Sequence, residues 1–184
     1  MGFLRARAPA AAAALALAAG LLGAPPAAAA PTAQQVEAVF LFYFSQFVDW
    51  PQGAFADPHS PIVICVLGSD PFDGTLDQAV AGERVNGRPI AVRRPQSVGG
   101  AAGCHILYIS SSESGKLPQI LSSVKGHNVL TVSDLNSFDQ SGGIVRFVLV
   151  NEHVQLRINE EAARSAGLVL SSKLLRVAQR AGSG

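Results

Sequence analysis

Charged side chains are scarce in this chain. They make up 15% of its 184 residues, against about 25% in an average globular protein. A basic excess is missing too. The formal net charge is +1 at pH 7, which gives no field for gripping a phosphate backbone, so no nucleic-acid partner is expected. After residue 30 there is no run of 18 apolar residues, and nothing in that part reads as a membrane span. The usual motifs of catalysis and metal binding are also lacking. His59, His105, His127 and His153 are scattered, with no H-E-x-x-H, and adjacent strand residues such as Cys104 and His105 face opposite sides. There is no G-x-S-x-G elbow. Ser110, Ser111 and Ser112 read as a turn and helix cap. The glycine-rich run 99–103 precedes a strand, whereas phosphate-binding loops follow one. These absences leave no positive ground for an enzyme, a cofactor or a metal site.

The missing charge is concentrated at the start of the chain. Residues 1–30 hold fifteen alanines and two charges, Arg5 and Arg7. A short basic region, an apolar stretch over residues 10–22, a break at Gly23-Ala24-Pro25-Pro26 and small residues at 27–30 form the pattern of a cleavable secretory signal peptide. The expected organisation is a signal peptide over 1–30 and one domain over 31–184. Removing the first 30 residues leaves twelve basic and thirteen acidic side chains, and a length that supports one real core. Export would place the domain in an oxidising compartment.

Residues 34–50 are expected to form a helix, with Val36, Val39, Phe40, Tyr43, Phe44 and Phe47 as its buried stripe. Residues 61–67 are continuously apolar and β-branched, as in a strand buried on both faces. Further strands are expected at 89–93, 104–109 and 128–132. Helices are expected at 71–80 and near 117–124. Residues 144–150 and 153–158 alternate around Asn151-Glu152 and read as a hairpin. The last helix covers 173–179. The expected fold class is therefore α/β, a single α/β/α layer domain with a mixed sheet of about six strands, the last two a hairpin.

Cys65 and Cys104 are the only cysteines. If they pair, the connectivity is unique; the alternative is two buried thiols acting as small apolar residues, and export favours the pair. Two sets of apolar residues exceed what a core stripe needs. Leu41 and Phe42 interrupt the polar side of the first helix and are expected at a homodimer interface, or else in a second layer of core. In the C-terminal stretch, the surface around Leu168, Leu170 and Arg176 is expected to face a partner, with Leu174 and Leu175 closing the core.

Several ordered segments together are similar to the YfiR family. They are Val39-Phe40-Leu41-Phe42-Tyr43-Phe44 with Phe47-Val48-Asp49-Trp50-Pro51, then Ile64-Cys65-Val66-Leu67-Gly68, Cys104-His105-Ile106-Leu107-Tyr108-Ile109 and Val129-Leu130-Thr131-Val132-Ser133-Asp134. Gly142-Gly143-Ile144, Ile158-Asn159 and Leu170-Ser171-Ser172-Lys173-Leu174-Leu175 complete the set. The resemblance implies a periplasmic, dimerising protein that represses an inner-membrane diguanylate cyclase by binding its periplasmic sensor domain. Cyclic di-GMP and biofilm output would fall as a result. It implies a redox-linked role for the Cys65 and Cys104 pair. Some members carry a second cysteine pair near residues 138–143, and this sequence has none there. The other expectation is a periplasmic protein that binds a small ligand of unknown identity in a crevice at the strand ends, without a cyclase partner.

Overall fold

A computed structural model describes residues 30–181; the expected signal peptide lies almost wholly outside the described residues. The first helix, α1 (Ala33–Phe47), starts at a reciprocal cap: the Thr32 hydroxyl accepts from the Gln35 N–H, and the Gln35 side chain accepts from the Thr32 N–H. It ends three residues earlier than its apolar spacing suggests. Val48 and Asp49 instead form a short strand, β1 (Val48–Asp49), paired antiparallel with β9 (Val169–Leu170). That partner lies far along the chain, so local periodicity carries no trace of the pairing.

All six residues of β2 (Ile62–Leu67) are buried, as their unbroken apolar run requires. The chain then forms α2 (Thr75–Val80), β3 (Arg84–Val85) and β4 (Arg88–Arg93). The β3–β4 turn is Asn86-Gly87, both at positive φ, the conformation that closes a two-residue hairpin. Strands β4 and β5 (Ile106–Ile109) lie parallel on either side of β2. Beyond β5 come α3 (Leu117–Ser123), β6 (Leu130–Ser133) and β7 (Val145–Val150). The antiparallel β8 (His153–Ile158) follows through the Asn151-Glu152 turn. The sheet order is β3-β4-β2-β5-β6-β7-β8. The strand beyond the expected six is the two-residue β3, too short for an alternation pattern. Short α4 (Glu160–Ser165) and α5 (Ser172–Ala181) finish the described chain.

Alternation along the strands builds a core on each face of the sheet. Ile64 and Val66 point to the layer holding Leu41, Phe44, Leu76, Leu168 and Leu174. Val63, Cys65 and Leu67 point to the opposite layer, with Ile120 and Phe138. Phe138 is fully buried against Gly143, where a Cβ would overlap its ring. The helices thus cover both faces, and the architecture is the expected mixed α/β layer domain.

Candidate functional site

Helix α1 is rotated about its axis relative to the expected stripe. Its buried face is Glu37, Ala38, Leu41, Phe44 and Ser45, whereas Val39 and Tyr43 are 40% and 43% exposed. Apolar side chains run almost all round this helix, so two stripes satisfy the same spacing. The small residues Ala38 and Ser45 allow the close approach to the neighbouring layer, and they were the available signal for which stripe goes inward. Leu41 is therefore corrected: it is fully buried in the core and offers no dimer surface. Phe42 is partly buried and packs on the same core, with its ring 5.6 Å from that of Tyr43. The apolar surface that α1 does expose is Val39 and Tyr43, continuous with partly buried Phe40 and Phe47 and with Val177 of α5.

The C-terminal surface is corrected in the same way. Leu168 is 2% exposed and belongs to the core. Leu170 is half-buried and sits opposite Val48 in the β1–β9 ladder. Because strand neighbours face opposite sides, the exposed residue is the one between them, Val169, at 64%. Arg176 is exposed on α5, and its Nη1 donates to the Ser172 hydroxyl at 3.4 Å. Leu174 is buried and Leu175 half-buried, as a helix closing the core demands.

Cys65 on β2 and Cys104, just before β5, are joined by a disulfide with Cα atoms 5.9 Å apart. The two parallel strands are hydrogen-bonded neighbours, which brings the cysteines within bridging range. Both are buried, so reductant reaches the bond only when the surrounding core opens.

Two polar features lie at the carboxyl ends of the strands. One is a buried acidic group beneath α1. Burial, reinforced by the Asp134 carboxylate, pushes the Glu37 pKa from 4.5 up to about 7. Burial also raises the Tyr108 hydroxyl, with Asp134 and Glu37 adding to it. The other feature is a cleft of about 750 Å³ beside Gly68 and Ser69, bordered by Arg94 and Lys116. The position, where neighbouring strands send their connections to opposite faces, is the usual ligand crevice of such sheets. Its cations are already engaged: Arg94 pairs with Asp70 at 2.7 Å and Asp77 at 2.5 Å, and Lys116 with Glu113 at 3.0 Å. Gly68, at φ +92, brings the backbone against Ser112, whose hydroxyl accepts from the Ser69 N–H at 2.9 Å. Among the described residues lining the cleft, each charged side chain has an ion-pair partner. Among the described residues no group of three or more His, Cys, Asp or Glu side chains could hold a metal ion.

No helix among the described residues is long and apolar enough to cross a membrane. No curated protein matches the sequence. A family model described as YfiR/HmsC-like matches residues 34–179, from the second residue of α1 into α5. That span takes in the whole sheet, the disulfide and both exposed apolar surfaces, and on it this chain belongs to the YfiR/HmsC-like family.

Proposed function

We propose that this chain is an exported periplasmic repressor, not an enzyme. Residues 1–30 act as its signal peptide, and residues 31–184 as one domain that binds the periplasmic sensor domain of a membrane diguanylate cyclase. Binding lowers cyclic di-GMP and biofilm output. The observation that carries this reading is family membership across the whole sheet.

The α1 face suits a second copy of the chain. The only charged residue of α1 is Glu37, and it is buried; Lys173 of α5 borders the same face beside Val177, so α1 itself brings no like charges together about a two-fold axis. Val39, Tyr43 and Val177 supply the apolar area that a self-complementary contact buries. The sensor domain is assigned to Val169 and Arg176, where an exposed apolar residue and a cation add contact and steering towards an acidic patch. The disulfide supports repression by holding the fold, so its loss weakens repression through stability.

The test uses the full chain beside its cognate cyclase in cells. Val169→Asp with Arg176→Glu should raise cyclic di-GMP while the purified variant keeps its circular dichroism spectrum and dimer mass. Tyr43→Glu should give a folded monomer by light scattering. Unchanged cyclic di-GMP in a stably expressed Val169→Asp/Arg176→Glu variant places the cyclase contact elsewhere. A Tyr43→Glu variant with unchanged mass removes the α1 dimer.

A further inference from the structure

Residues 51–60 cross the amino-terminal end of the sheet as an exposed segment containing one short turn, Gln52–Ala54. Their backbone hydrogen bonds to one another are local, at Pro51–Ala54, Gln52–Phe55 and Asp57–Ser60. Among the described residues, two side chains supply their hydrogen bonds to the rest of the molecule. Arg88 of β4 donates through Nη1 to the Asp57 and Ser60 carbonyls, each at 2.8 Å. His105 contacts the Ala54 carbonyl through Nε2 at 3.1 Å. Stacking adds to this hold. Phe55 lies on the His105 ring, with centroids 4.5 Å apart, and the Arg88 guanidinium covers the Phe55 ring at 3.8 Å. Trp50 meets His105 edge-on at 6.0 Å.

The second ring nitrogen of His105 fixes its protonation state. The Val63 N–H donates to Nδ1 at 3.1 Å, and a backbone amide can only donate, so Nδ1 must carry a lone pair and Nε2 the proton. In this neutral form the ring bridges β2 to the 51–60 segment. A second proton would place an N–H against the Val63 N–H. It would also put a second cation on Phe55, whose other face already carries Arg88.

We propose that residues 51–60 are a strap latched by neutral His105, and that protonating His105 releases the strap and uncovers Trp50 and Phe55. Arg88 is the charged group set against the ring, and it opposes the imidazolium. The strap's own titratable groups are Asp57 and His59. The Asp57 carboxylate is turned into its local turn, accepting from the His59 N–H at 2.6 Å and the Ser60 hydroxyl at 2.7 Å. Burial pushes His105 below the usual histidine range and Arg88 adds to this, while the Ala54 carbonyl works the other way. The sign follows from linkage. The closed strap is fully favoured above the ordinary histidine pKa and loses that advantage as pH falls below it. The Trp50 indole N–H is buried without an acceptor, and opening lets water satisfy it, which lowers the cost of release.

Trp50 is the only tryptophan in the chain, so its solvent access reads the strap directly. Between pH 7.5 and 4.5 the acrylamide quenching constant of the intact protein should rise about twofold while the far-ultraviolet circular dichroism stays constant, as expected of local opening. His59→Gln should retain the rise. In His105→Phe, quenching should be independent of pH. A flat quenching constant down to the pH of global unfolding overturns the proposal, as does a rise that survives in His105→Phe or vanishes in His59→Gln. Should His105→Phe fail to fold, hydrogen exchange of the unsubstituted protein decides. Peptides covering 51–62 should lose protection at low pH before those covering β6 and β7, and simultaneous loss would refute the latch.

Discussion

Glu37 is the residue whose replacement should gain stability, and its surroundings set the size of the gain. Its carboxyl sits on the inner face of α1 at 8% exposure, and the described ion pairs do not include it. Burial and the neighbouring Asp134 carboxylate raise its pKa from 4.5 to about 7. The folded state therefore holds this proton more tightly than the unfolded chain does. Its stabilising contribution is complete below pH 4.5 and disappears as the pH rises through about 7. With each pKa unit worth about 1.36 kcal/mol, the difference between the two ends is about 3 kcal/mol. Glu37→Gln keeps the shape of the side chain and removes its charge. At pH 8.5 the variant should be more stable than the parent by up to about 3 kcal/mol, a rise in melting temperature of roughly 10 °C for a domain of this size. At pH 4.5 the two should be nearly equal. Guanidinium unfolding at both pH values, without reductant and with the slopes compared, measures this directly. An equal stability difference between parent and variant at the two pH values would refute the burial argument.

The remaining predictions concern the core. Replacing Cys65 and Cys104 together by alanine frees a loop of sequence separation 39. This should cost about 4 kcal/mol in the chain-entropy account; an unchanged guanidinium midpoint would mean the bridge does not constrain the unfolded chain. Leu41→Ala should cost about 2–5 kcal/mol, as a buried truncation does, without altering the association state, and Leu168→Asp should prevent folding. A folded Leu41→Ala protein with parental stability and lowered mass would return Leu41 to an interface.

Much of the sheet was legible because its strands carry their own signals. The apolar run Ile62–Leu67 announces burial on both faces, and the alternation on either side of Asn151-Glu152 announces a hairpin. What the sequence hid shares one physical cause: it depends on contacts between distant segments. The β1–β9 pairing joins Val48 to Leu170 across most of the chain. It decides both where α1 stops and which way the 168–170 stretch turns. With Leu170 facing inward by that register, Leu168 must follow it and Val169 must face out, so the exposed residue of this stretch is Val169 and neither leucine. The first helix keeps Phe44 buried and Phe40 and Phe47 packed on the core as its spacing predicts, but its stripe is rotated for a related reason. A helix that is apolar nearly all round has no preferred stripe until the sheet it meets selects one.

The orientation of α1 links these corrections to the proposed function. Turning Ala38 and Leu41 inward also carries Glu37 into the core, at a cost in ionisation that the opposite rotation would have avoided. The same turn sets Val39 and Tyr43 outside, with Val177 beside them. Burying a carboxyl beside Asp134 and leaving a tyrosine and two valines in water both oppose the monomer stability that buried Leu41 and Phe44 supply. A chain whose exposed side meets a second copy recovers that apolar surface on association. Tyr43→Glu and Glu37→Gln therefore probe opposite sides of one helix. The first should lower association with little effect on monomer stability, and the second should raise stability above pH 7 with association intact. If Glu37→Gln also disrupts the proposed dimer, the two faces of α1 are coupled, and the rotation of the helix is itself part of assembly.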